Sequence, residues 1–87
     1  MNRPYTQEII DESVIIRTFS GDVDEFELKW HWDEDDRLVE IIGSTDWKFQ
    51  FDNELPMEMK DPIFIPKGNI HRVIKGSGEL KVKIYKK

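Results

Sequence analysis

The stretch Ile63-Phe64-Ile65-Pro66-Lys67-Gly68-Asn69-Ile70-His71-Arg72-Val73 decides how the chain is read. It is an apolar run, a Pro-x-Gly turn and then a histidine. Proline fixes its own φ and glycine readily takes a positive φ, so Pro66 and Gly68 mark a tight turn between two extended segments. This predicts short strands over Pro62–Pro66 and Ile70–Lys75. Working outward, Ser13–Phe19 and Arg37–Ile42 are short runs rich in β-branched residues, and apolar and polar side chains alternate in Glu25–Trp32, Trp47–Phe51 and Leu80–Tyr85. That is the strand period. Turn-forming groups separate the runs: Ser20-Gly21-Asp22, Gly43-Ser44, Asp52-Asn53 and Gly76-Ser77-Gly78, the last read as a hairpin turn. Alanine does not occur, and no helical period stands out. About seven short strands at a spacing of about ten residues predict an all-β sandwich or barrel. Closure, or near closure, would hide strand edges that otherwise aggregate. The strands at Trp47–Phe51, Pro62–Pro66 and Leu80–Tyr85 are expected to supply the core, and residues 1–8 a loose or exchanged N-terminal arm.

The chain has 87 residues, 38% of them hydrophobic, so one domain over 1–87 with a small core is expected. There is no apolar run of the roughly 18 residues that a membrane-spanning helix needs. The opening MNRPYTQEII has no signal-peptide hydrophobic region, and an intracellular, cytoplasmic location is expected. Without cysteine there is no disulfide framework, thiolate metal site or thiol nucleophile. The net charge is −5, which argues against nucleic acid as a partner, because phosphate backbones need a basic surface. The charge is uneven: residues 1–60 carry a net −10 and residues 61–87 a net +5. Strands from the two halves should attract and pair.

Two stretches carry candidate chemistry, and each holds one of the two histidines. One is Lys29-Trp30-His31-Trp32-Asp33-Glu34-Asp35-Asp36, followed by Gly43. The other is Pro66-Lys67-Gly68-Asn69-Ile70-His71. The second resembles the second motif of the cupin superfamily, a Pro-x-Gly turn with a histidine two residues beyond a spacer. Lys60 stands at that motif's first glycine position and Lys75 at its terminal asparagine. The first stretch resembles the first cupin motif when His31 takes the second histidine, Asp36 the acidic position and Gly43 the glycine. Lys29 then stands where the motif has its first histidine. The likeness runs from Glu25 to Tyr85, and the segments WHW-DEDDR, FQFDNELP and FIPKG-HR-IKG also resemble small cupin-like proteins of large tailed bacteriophages, which would extend the location to a host cytoplasm.

The resemblance implies a small cupin, jelly-roll β-barrel of antiparallel strands. It further implies a divalent ion (iron, manganese, zinc or nickel) on His31, Asp36 and His71, with Asp33 as a substitute for Asp36. Two imidazoles and one carboxylate leave coordination positions open, as in non-haem iron oxygenases. Oxygenase- or isomerase-type chemistry on a small polar substrate would follow. The competing reading is a metal-free cupin in which Lys29 pairs with Asp36 and fills the pocket, leaving a small-ligand-binding or structural accessory role.

The remaining candidates concern surfaces and the pocket. With His31 inward on a strand, Phe26, Leu28 and Trp30 face outward, and such an apolar row predicts a homodimer interface. Trp30 and Trp47 are candidate pocket residues beside Lys29 and Asp33, since tryptophan stacks on ring ligands as readily as it packs a core. The run Asp33–Asp36 lacks the spacing and distal glutamate of a calcium loop and reads as a solvated turn. Arg37 is placed to pair with that turn, and Arg72, next to His71, faces the other way.

Overall fold

A computed structural model describes residues 3–87. Thr6–Asp11 (β1) and Val14–Phe19 (β2) form a hairpin, followed by a 3-10 turn at Glu25–Glu27. Then come β3 (Arg37–Ile41), β4 (Lys48–Phe51), β5 (Met57–Glu58), β6 (Ile63–Ile65), β7 (His71–Ile74) and β8 (Leu80–Lys86). The strands make two sheets in which every pairing is antiparallel. One has the order β1-β2-β8-β3-β6 and the other β5-β4-β7. The all-β, jelly-roll reading therefore holds, but the sheets do not close into a barrel.

The core lies between the sheets. Ile15 and Phe19 from β2, Val39 from β3, Ile63 and Ile65 from β6, and Leu80, Val82 and Ile84 from β8 come from one side. Trp47 and Phe49 oppose them, with Met59 beyond β5. The two-residue period does this directly, since alternate residues of β6 and β8 are buried and their neighbours are not. Burying each such side chain stabilises the fold by roughly 1.5–3 kcal/mol. Trp47 is 1% exposed, and its Nε1 donates to the Gly78 carbonyl at 2.7 Å. It is a core residue and lines no part of the cavity below, which corrects its placement among pocket residues.

The charge asymmetry is used as expected: β8, from the basic end, lies between β2 and β3. Glu40 stands opposite Lys83 and accepts from the Tyr85 hydroxyl at 2.7 Å.

Three expectations are corrected. Residues 6–8 are not an exchanged arm: they pair with β2 of the same chain, Thr6 opposite Thr18 and Glu8 opposite Ile16. The hairpin is held by Asp11, whose Oδ1 accepts from Ser13 N and Oγ; residues 1 and 2 lie outside the described residues. Gly76-Ser77-Gly78 is not a hairpin turn, because β7 and β8 belong to different sheets. It carries the chain from one sheet to the other, and Gly76 passes so close to Asp46 and Trp47 that a Cβ would collide with both. Glu25–Trp32 is not a strand. Asp24 caps the 3-10 turn by accepting from Phe26 N, and beyond it only His31 makes a bridge. The expected apolar face is thereby broken up: Leu28 turns toward the core, while Phe26, Trp30 and Trp32 stay exposed. Among the described residues no helix is long and apolar enough to cross a membrane.

Candidate metal and ligand site

The Pro66–Asn69 turn builds the site. Asn69 N donates to Pro66 O, and Gly68 has φ of 82°, the positive value that a type II turn needs at its third residue. Gly68 N also donates to the Asp33 carbonyl at 2.9 Å, fixing the acidic loop against the turn. The turn leads into β7, where His71 is 4% exposed and stacks on Phe49 with ring centroids 5.5 Å apart. Its backbone exchanges both hydrogen bonds with His31, at 2.9 and 3.0 Å. That single bridge sets the two imidazoles side by side, with centroids 4.3 Å apart.

Each ring is oriented by a backbone carbonyl. His71 Nδ1 lies 2.8 Å from Asn69 O, and His31 Nδ1 lies 3.2 Å from Lys29 O. A carbonyl only accepts, so both Nδ1 atoms carry a proton, and Nε2 is the ring atom left to meet Asp33 or a metal. Asp33 completes the group. Its Oδ2 is 3.4 Å from His71 Nε2, and its Oδ1 is 3.3 Å from Arg37 Nη1. One ligand atom from each of His31, Asp33 and His71 lies within 4.8 Å of the other two. Burial opposes the charge on Asp33, but the hydrogen bond to His71 and the Arg37 guanidinium outweigh it and hold its pKa below the usual carboxylate range. Burial pushes the His31 pKa down, with the neighbouring His71 acting in the same direction.

With Nδ1 of His71 committed to Asn69 O, its Nε2 faces the Asp33 carboxylate and holds either the proton of their hydrogen bond or, in that proton's place, a cation shared with the carboxylate. The donor set therefore fits a divalent ion of the iron, manganese, zinc or nickel kind.

Asp36 is not brought into this group. Its Oδ1 accepts from Lys67 N at 2.8 Å, and its carbonyl accepts from Lys87 N. The motif spacing points to Asp36 with Asp33 as its substitute; here the chain loops from His31 to β3, and the loop delivers the substitute. The Lys29–Asp36 pair does not form, and Lys29 makes no ion pair among the described residues. Arg37 does pair with the acidic turn, on Asp33 and, at 2.8 Å, on Asp35. Arg72 faces away from the group as expected: its Nε and Nη2 donate to Gln50 Oε1, and its guanidinium lies 4.4 Å from the Trp30 ring centroid. Trp30 is therefore outside the pocket.

The group lines a cavity of about 340 Å³ between the sheets. Lys29 and Asp33 line it too, as expected. Its walls are largely apolar, with Val39, Phe49, Ile65 and Val82 among them. Tyr5, whose phenol the sequence could not place, and Arg17, which the sequence reading passed over, also line it. The signal for Arg17 was present: in Ile15-x-Arg17-x-Phe19 it occupies an inward position of β2.

No protein-family model and no curated protein matches the chain. Solved structures do. A cupin domain from Bordetella pertussis Tohama I is 20% identical, with a TM-score of 0.59 over 100% of this chain and 98% of that one. An RmlC-like cupin from Shewanella frigidimarina NCIMB 400 is 9% identical, with a TM-score of 0.67 over 99% and 78%. Fe(II) HppE is 11% identical, with a TM-score of 0.63, and matches over 85% of this chain. The chain spans 41% of the HppE chain and 37% of a matching DMSP lyase structure, so it is similar to part of those enzymes only. At these identities the likeness concerns the fold, which is that of the cupins.

Proposed function

We propose that this protein is a small metal-binding cupin-fold protein in which His31, Asp33 and His71 hold one divalent ion facing the cavity. The observation that carries the reading is the convergence of three ligand atoms within 4.8 Å, two of them on imidazoles whose Nδ1 protons are already committed to carbonyls. Metal–nitrogen bonds of roughly 2.0–2.1 Å demand somewhat closer ligands, which a small rotation of the loop-borne side chains supplies. Metal-bound, the site would offer a Lewis acid with open positions for a substrate oxygen. This chain's own residues orient the two rings, keep Asp33 ionised beside Arg37 and shield the group with apolar walls. The sequence likeness to phage-encoded cupin-like proteins favours a phage as the source.

Calorimetric titration of untagged, chelator-stripped protein with zinc, manganese, nickel and anaerobic ferrous iron tests this. One equivalent should bind in the wild type, Asp33→Ala should weaken it at least roughly tenfold, as expected for loss of a charged ligand, and Asp36→Ala should leave it unchanged. Absence of binding in the wild type, or Asp33→Ala titrating as the wild type does, overturns the reading.

A further inference from the structure

Arg17 occupies a position that a strand normally gives to an apolar residue. It lies between Ile15 and Phe19 on the inward face of β2, and those neighbours are 2% and 9% exposed. Its backbone partner across the sheet is the buried Val82. Its Nε donates to Gln7 Oε1 at 2.7 Å, and its guanidinium lies 4.3 Å from the Tyr5 ring centroid. Among the described residues, no acceptor serves its two Nη groups and no carboxylate pairs with it. Burial disfavours its charge, yet a guanidinium does not give up its proton near neutral pH.

Arg37 provides the contrast within the same cavity. It also stands at an inward position, two residues before Val39, but Asp33 and Asp35 neutralise it. Asp33 is committed to Arg37 and His71, so it is not the missing counter-charge for Arg17. Of the other charged lining residues, Lys29 adds a second unpaired cation and Glu27, exposed, an unpaired carboxylate. A half-buried guanidinium with two free donor groups, in a cavity whose walls are largely apolar, is the recognition chemistry of a planar anion attached to an apolar body.

We infer that the cavity takes a small carboxylate with an apolar body, the carboxylate received by the two Nη groups of Arg17 and the body packed against Phe49, Ile65 and Val82. The other end of the ligand then faces His31, Asp33 and His71; that last step rests on the metal-site reading, whereas the carboxylate subsite does not. A volume of about 340 Å³ equals the liquid share of about eleven waters, enough for an unbranched six-carbon acid.

Hexanoate, its neutral isostere hexanamide and inorganic phosphate are titrated into chelator-stripped protein and followed by calorimetry and by the thermal midpoint. Hexanoate should bind and raise the midpoint. Hexanamide should bind at least roughly tenfold more weakly, as expected when a charged hydrogen bond becomes neutral. Arg17→Met should lose the preference for hexanoate while zinc titrates as in the wild type, and Arg17→Lys should keep part of it. Should Arg17→Met fail to fold, the hexanoate–hexanamide comparison in the wild type and in Arg17→Lys decides alone. Equal binding of acid and amide, a preference for phosphate, no binding of hexanoate at millimolar concentration, or an acid preference that survives Arg17→Met each overturns the inference. Hexanoate bound through Arg17 in a protein that takes no zinc would remove the metal reading and leave this one standing; zinc bound without hexanoate does the reverse.

Discussion

His71 and His31 face each other across one bridge, yet they are held in different ways. His71 belongs to β7, where its strand pairs with β4 and Phe51 stands opposite it. Its ring is buried against Phe49. His31 has no strand around it: two backbone hydrogen bonds to His71 and the contact of Trp30 with Arg72 hold its segment. One imidazole is thus part of the core and the other is laid against it. A strand fixes side-chain direction through many shared hydrogen bonds, whereas a loop residue is placed by whatever few partners it finds. The two halves of the candidate site should therefore respond differently to the same kind of change.

The largest contrast should appear in stability without metal. His71→Ala removes a buried ring stacked on Phe49 and a hydrogen bond to Asn69 O, and a cavity of that kind costs about 2–4 kcal/mol. His31→Ala removes a ring that is only partly shielded, at the mouth of the group, and should cost less than about 1 kcal/mol. Urea unfolding of chelator-stripped variants reads both. Equal shifts in midpoint would show that His31 is as firmly built in as His71.

A smaller effect isolates the tether of the loop. Gln50 Oε1 holds the Arg72 guanidinium 4.4 Å from the Trp30 ring centroid, and Trp30 immediately precedes His31. An exposed cation–π contact contributes about 0.5–1 kcal/mol, which corresponds to about two- to fivefold in an equilibrium constant. Trp30→Ala should weaken zinc binding by that factor, by freeing His31, while leaving the unfolding midpoint of the metal-free protein nearly unmoved. Affinity identical to the wild type would mean that the backbone bridge alone positions His31.

The same contrast explains what the sequence made legible. The His71 half was readable because Pro66, Gly68 and His71 are spaced by a turn whose geometry is local, and local geometry is what sequence encodes most directly. The apolar runs of β2, β3, β4, β6 and β8 were equally readable, and in β6 and β8 every second residue is buried. The His31 half was not. Phe26, Leu28, Trp30 and Trp32 alternate as a strand does, but Asp24 caps a 3-10 turn at Glu25–Glu27 and no partner strand receives the segment. Counting the spacing of the cupin motif from His31 then put the acid at Asp36, with Asp33 only as its substitute. Asp33 is selected instead by contacts distant in sequence, with Gly68 and His71, and by Arg37 four residues on. The five-residue pattern around Arg17 showed a charge in an apolar row, but its meaning depends on which acids reach it, and only the folded chain decides that.

The smallest effect comes from a loop that lines none of the cavity and so serves as the reference for both halves. Asp46 Oδ2 accepts from Ser77 Oγ at 2.7 Å and Oδ1 accepts from Ser77 N at 2.9 Å, tying the segment before β4 to the crossing between sheets. The Ser77 hydroxyl bond, then its backbone N–H, hold the Asp46 carboxyl below the usual carboxylate range. The unfolded chain binds its proton more readily, so the carboxylate stabilises the folded state above the unfolded value of about 4, and that contribution disappears as pH falls through the folded value. Asp46→Asn should lower the thermal midpoint modestly at pH 7, with the gap to wild type narrowing as pH drops below about 4 and closing once it passes the folded value, where both side chains are neutral. Zinc affinity should not change. A gap that persists in acid would assign the effect to packing around Gly76 rather than to charge, and a change in zinc affinity would show that this crossing, and not the turn at Gly68 alone, sets where β7 presents His71.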